Sequence, residues 1–156
     1  MMRKLLFLLA FAFAAMLQAA DFVTESRWIT ASEGDVNAQN TWIAFRKDIT
    51  LGSIPMKVEA SIAAASKYWL WINGEMVVFE GQLKRGPTPK DTYYDKVDIT
   101  PYLKKGNNEV AVLLWYFGKS GFSHNSSGKS GLLFSAQAIG LYSDSQWMSR
   151  IHPAYG

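Results

Sequence analysis

The sequence predicts an all-β sandwich, and three observations carry that reading. After residue 20 no segment sustains a helical period. Short apolar runs are broken by Gly, Pro, Asn and Asp at the spacing of strands and turns. The chain has 156 residues, 49% apolar and 14% aromatic, which is enough for one packed core. Seven or eight short strands at this spacing favour a sandwich.

The elements follow in order. Trp42 to Ile49 reads as the first strand. Met56 to Ala63 reads as the second, with Val58, Ala60 and Ile62 inward and Lys57, Glu59 and Ser61 outward. Tyr68 to Ile72 and Met76 to Phe79 flank Asn73-Gly74-Glu75. Asn-Gly tolerates the positive φ angles of a tight hairpin turn. Tyr93 to Ile99 is a further strand with Val97 and Ile99 on one face. Thr100 to Leu103 reads as a single helical turn opened by Pro101, and Lys104 to Asn108 as a polar turn.

Glu109 to Phe117 is apolar at every alternate position on both faces. Val110, Val112, Leu114 and Tyr116 share one face; Ala111, Leu113, Trp115 and Phe117 share the other. Such a strand sits mid-sheet with both sides covered. One face meets the sandwich core, and the other needs a loop layer or another domain. Gly118 to Gly131 reads as a long Gly- and Ser-rich loop. Leu132 to Leu141 reads as the last strand, and residues 143–156 as a tail or linker towards a following domain.

The first twenty residues read as a secretion signal. Arg3 and Lys4 precede an uninterrupted apolar run from Leu5 to Leu17, and Ala19 and Ala20 supply small residues for cleavage. The domain is therefore expected at 21–142, exported to the periplasm or beyond the cell, and off the membrane once the signal is cut. Arg3 and Lys4 leave with the signal, so the 16 basic residues fall to 14 against 13 acidic, a net charge of +1. That balance gives no electrostatic footprint for nucleic acid. The sequence has no cysteine, so no disulfide staples the domain.

Two stretches resemble galactose-binding-like jelly rolls: the hairpin Tyr68 to Val78 around Ile72-Asn73-Gly74, and Asp98-Ile99-Thr100-Pro101-Tyr102-Leu103 continuing to Val112. A finer likeness is to the N-terminal β-domain of bacterial α-L-rhamnosidases of glycoside hydrolase family 78. It rests on Phe79 to Pro87, Thr92 to Asp95, Trp115 to His124, Ser126 to Leu132 and the ending His152-Pro153-Ala154-Tyr155-Gly156. The resemblance spans residues 25–156. It implies a jelly-roll accessory module, here a fragment, whose partner is a catalytic helical-barrel domain. In that family two glutamates on the barrel act as acid and base, and no positions of this sequence correspond to them. A free-standing lectin-like module and a purely structural β-domain are the other readings.

Glycoside inversion needs two carboxylates about 6.5–9.5 Å apart across a cleft. Glu75, Glu80, Asp91, Asp95 and Asp98 are each explained by turns and wet faces, so no catalytic residue is assigned. Trp42, Trp69, Trp71, Trp115 and Tyr116 are concentrated in strands, where core packing is the ordinary role of an aromatic. A sugar face would use one or two of them. The expected contacts to a plant or bacterial rhamnose-containing glycan are Trp71, Asn73, Tyr93 and His124. Asp95 and Asp98 are the expected oxygen ligands if calcium takes part.

Overall fold

A computed structural model describes residues 22–83, 92–122 and 124–153. The expected signal at 1–20, Asp91 and the segment Lys84 to Pro87 lie outside the described residues. Among the described residues there are nine strands: β1 (Thr41–Leu51), β2 (Glu59–Ala64), β3 (Lys67–Ile72), β4 (Glu75–Gln82), β5 (Asp95–Asp98), β6 (Gly106–Tyr116), β7 (Leu132–Ala136), β8 (Leu141–Tyr142) and β9 (Met148–Ile151). They form two antiparallel sheets. One has the order β4-β3-β6-β1-β9 and the other β5-β2-β7-β8. The all-β sandwich stands as expected.

Alternation explains why the sheets pack. Ile43 and Phe45 of β1, Tyr68, Leu70 and Ile72 of β3, and Val110, Val112 and Leu114 of β6 are all buried. From the other sheet Ala60, Ile62, Leu132, Phe134 and Ala136 complete the core. Burying these side chains is the main source of stability in a domain without disulfides.

The β3–β4 hairpin closes through Asn73 at φ 53° and Gly74 at φ 80°. Both central residues thus take the positive φ of a two-residue primed turn. Thr100–Tyr102 is a single 3-10 turn, as read from Pro101.

Three expectations are corrected. Leu132 to Leu141 is not one strand: β7 ends at Ala136, a 3-10 turn spans Gln137–Ile139, and Gly140 at φ 62° reverses the chain so that β8 pairs back on β7. Residues 143–151 are not a tail. The Ser143 hydroxyl donates to the Arg27 carbonyl at 2.7 Å and accepts from the Phe134 N–H at 2.9 Å. Trp147 is buried in the core, 5.5 Å from the Phe134 ring, and its indole N–H donates to the Tyr142 carbonyl. β9 then pairs with β1 as an edge strand. Finally, Ser61 is buried rather than wet, because β2 lies inside its sheet between β5 and β7 and Ser61 faces Ser135 across the pairing.

Candidate functional site

The outer face of the five-stranded sheet carries the unusual chemistry. Residues of β1, β3 and β6 that alternate with the core positions are half-buried or, at Arg46, Asp48, Thr50 and Asn107, exposed. Trp42 is paired directly with Trp115, and their rings stack at 4.8 Å with planes 9° apart. Trp42 also stacks on Trp69 at 5.4 Å. Phe79 closes one end of this ladder edge-to-face against Trp69, and Phe117 closes the other against Trp115. Phe79 is 70% exposed and Met76 is 45% exposed, so the face is open towards β4. The open choice for strand 109–117 is thereby decided. Leu113, Trp115 and Phe117 face outward, while Leu114 and Tyr116 are in the core.

Trp42 is stacked face to face with Trp69 and with Trp115, and Phe79 and Phe117 meet their neighbours edge-to-face. A pyranose stacks on a flat aromatic face, so this arrangement suits an apolar protein surface better than a sugar.

Towards the hairpin end the same face becomes polar. Arg46 of β1 reaches Glu109 of β6 at 2.7 Å and Asp48 at 3.3 Å. Thr50 donates to the Asn107 side-chain oxygen at 2.8 Å. These residues line an open pocket of about 750 Å³, ringed by Asn73, Gly74 and Lys104. Sequence reading passed over Arg46 and Glu109. The available signal was their outward position on two strands, but the strand order that brings them together was not readable.

The six expected site residues are not brought together. Asn73 is committed to the fold. Its amide donates to the Tyr102 carbonyl and to Asn108 at 2.9 Å each, and its oxygen accepts the Glu109 N–H at 3.1 Å. His124 is buried at the other end of β3, beside Ser66 and the Phe117 ring. Asn73 follows Ser66 by seven positions, roughly 23 Å of extended chain. Tyr93 is half-exposed ahead of β5 in the other sheet. Of the six, Trp71 alone stands on the outer face of β3, and it is not among the residues that line the polar pocket.

Asp95 and Asp98 bound β5, three residues or about 10 Å apart and on opposite faces of the strand. One ion cannot span them. Asp95 accepts from the Tyr68 hydroxyl at 3.0 Å and the Gln82 N–H at 2.7 Å. Asp98 accepts from the Thr100 hydroxyl and N–H, which hold its carboxyl below the usual aspartate range. Among the described residues no cluster of three or more His, Asp or Glu could hold a metal. Of the glutamates weighed for catalysis, Glu80 pairs with Lys67 at 2.8 Å, and Glu75 lies at the far end of β4.

No protein-family model matches the sequence, and no curated protein matches it. Solved structures do. The family-78 rhamnosidase of Bacillus sp. GL1 matches 81% of this chain at 29% identity with a TM-score of 0.69. The chain is similar to one segment of that enzyme. It spans only 13% of the Bacillus chain. The α-L-rhamnosidase of Aspergillus terreus matches 83% of this chain at 23% identity and TM-score 0.65, over 17% of its own length. The Pleurotus ostreatus lectin matches 81% of this chain at 21% identity and TM-score 0.54, over 35% of its own. The rhamnosidase likeness expected from the sequence is therefore met. The Aspergillus and Pleurotus likenesses show a shared fold.

Proposed function

We propose that this chain is a non-catalytic accessory module of an α-L-rhamnosidase-like glycoside hydrolase. The aromatic outer face of its five-stranded sheet would pack against the catalytic part. The observation that carries this reading is the ladder Phe79-Trp69-Trp42-Trp115-Phe117, apolar and half-open on the outside of a complete sandwich. In the Bacillus enzyme 13% of the chain is like this one, and the remainder is the natural source of a covering surface. Any hold on a rhamnose-containing glycan through the ladder is secondary, because its ring faces are engaged with each other.

The test has two arms. The purified chain should not turn over aryl α-L-rhamnosides; turnover that survives repurification defeats the proposal. The Bacillus rhamnosidase lacking its matching segment should bind the chain in calorimetry, and Trp115→Ser should weaken that binding at least about tenfold. Binding that ignores Trp115→Ser would show that a different surface docks.

A further inference from the structure

We infer that His124 is a pH-sensitive latch on the loop after β6: the neutral ring holds the loop shut against Ser66 and Phe117, and protonation releases it while the sandwich stays folded. This rests on the geometry of the loop and not on the docking reading above.

The anchor is the first observation. Among the described residues between 118 and 130, His124 alone is buried, at 6% exposure, while Phe122 and Asn125 are exposed. Its ring lies 5.2 Å from the Phe117 ring at 70°, and Nε2 is 3.3 Å from the Ser66 hydroxyl. The Gly121 N–H donates to the His124 carbonyl at 2.7 Å, so the loop backbone closes on the same residue.

Hydrogen bonding fixes the protonation state. Ser66 donates its one hydroxyl proton to the Ala65 carbonyl, and its oxygen accepts the Phe117 N–H at 3.1 Å. Only a lone pair remains for His124, so Nε2 carries the ring N–H. Nδ1 is then the unprotonated nitrogen, and it is buried with no partner among the described residues. A proton added there finds no acceptor, and its charge is buried unpaired. The surrounding elements supply no counter-charge. Beside Ser66, Lys67 and Glu80 neutralise each other at 2.8 Å. Lys119 and Lys129 on the loop itself are exposed cations. At the end of β6 the Tyr116 hydroxyl meets Ser126 at 3.3 Å, and residues 37–40 carry no ionisable side chain. Burial is accordingly what lowers the His124 pKa.

The loop can open without the sandwich. Its two ends are pinned to residues 37–40. The Asn40 N–H donates to the Phe117 carbonyl at 3.2 Å, and the Ser130 N–H donates to the Asn37 side-chain oxygen at 2.8 Å. Gly118 at φ 71° and Gly128 at φ 76° lie just inside those pins and supply hinge freedom. Release of His124 bares the side of Phe117 that it covers, and Phe117 ends the aromatic ladder against Trp115.

The experiment follows the ¹⁵N-labelled His152→Gln chain, in which His124 is the remaining histidine, from about pH 7.5 to about pH 4.5. At the upper end the ring nitrogens should report the Nε2–H tautomer. As pH falls the ring should titrate with a midpoint below 6.5. At that midpoint the Gly121 amide should lose at least about tenfold of its protection from solvent exchange, while the Ile62 and Leu114 amides keep theirs. His124→Phe keeps a ring in place that takes up no proton, and its loop should stay closed throughout. A midpoint at or above 6.5, a Gly121 amide that does not follow the ring, the same opening in His124→Phe, or loss of Ile62 and Leu114 protection at the same midpoint would each overturn the latch. None of these outcomes bears on whether the ladder docks a partner.

Discussion

Trp42 and Trp115 are direct cross-strand partners on β1 and β6, and their indoles stack at 4.8 Å outside the core. A stacked aromatic pair adds about 0.5–1.5 kcal/mol beyond its buried area. A double-mutant cycle with Trp42→Ala and Trp115→Ala should return a coupling of that size in chemical denaturation. Additive effects would mean that the rings do not stack in solution.

The two faces of β6 should respond differently to truncation. Leu114 is fully buried, so Leu114→Ala should cost about 2–5 kcal/mol. Trp115→Ser loses the ring stack and the bond from its indole N–H to Asn40, worth about 1–3 kcal/mol together. Urea midpoints at constant slope measure both. A Trp115→Ser midpoint below that of Leu114→Ala would place Trp115 in the core.

Residues 143–153 should be indispensable. Trp147→Ala should cost about 3–5 kcal/mol, since it opens a cavity against Phe134. A chain ending at Tyr142 should lose cooperative unfolding by circular dichroism. An unchanged melting transition would show that the last segment is only appended.

His124 gives the fold an acid limit. Burial holds its imidazole below the ordinary value of 6.5, so the folded chain keeps it neutral. Below about pH 6.5 the unfolded chain takes up a proton that the folded chain resists. Stability is then full above that pH and declines as pH falls towards the folded pKa. His124→Gln should flatten this part of the pH–stability curve. An unaltered curve would assign the acid dependence to other groups.

Tyr68 acts at the opposite limit. Burial, and then the Asp95 carboxylate, push its hydroxyl far above the ordinary value of 10.0. As pH rises through 10 the unfolded chain loses this proton and the folded chain keeps it, so stability falls. Tyr68→Phe should remove part of that alkaline loss while costing about 0.5–1.5 kcal/mol at neutral pH for the hydroxyl's bond to Asp95. Gly81→Ala should be worse at every pH, because a methyl there meets the Tyr68 ring.

What was legible in the sequence follows from how local each signal is. The Asn73-Gly74 turn and the Pro101 turn depend on backbone preferences of one or two residues, and both are where the sequence puts them. The doubly apolar β6 announces an outer face that needs cover. Ser143, Trp147 and β9 were missed because Met148, Ser149, Arg150 and Ile151 form a short mixed-polarity edge strand beside Pro153. Their role appears only once β1 offers an unpaired edge. The expected sugar and calcium residues were chosen by type. Type does not reveal that Asn73, Asp95 and Asp98 spend their polar atoms on the fold, or that Asn73 and His124 lie at opposite ends of one strand.

The most direct test of the docking face is sedimentation velocity of the chain over a range of concentrations, beside Trp115→Ser. An uncovered apolar ladder predicts concentration-dependent association of the parent chain and a monomer for the variant, with both still folded. A parent chain that stays monomeric at high concentration, together with a Trp115→Ser chain that unfolds, would contradict the account.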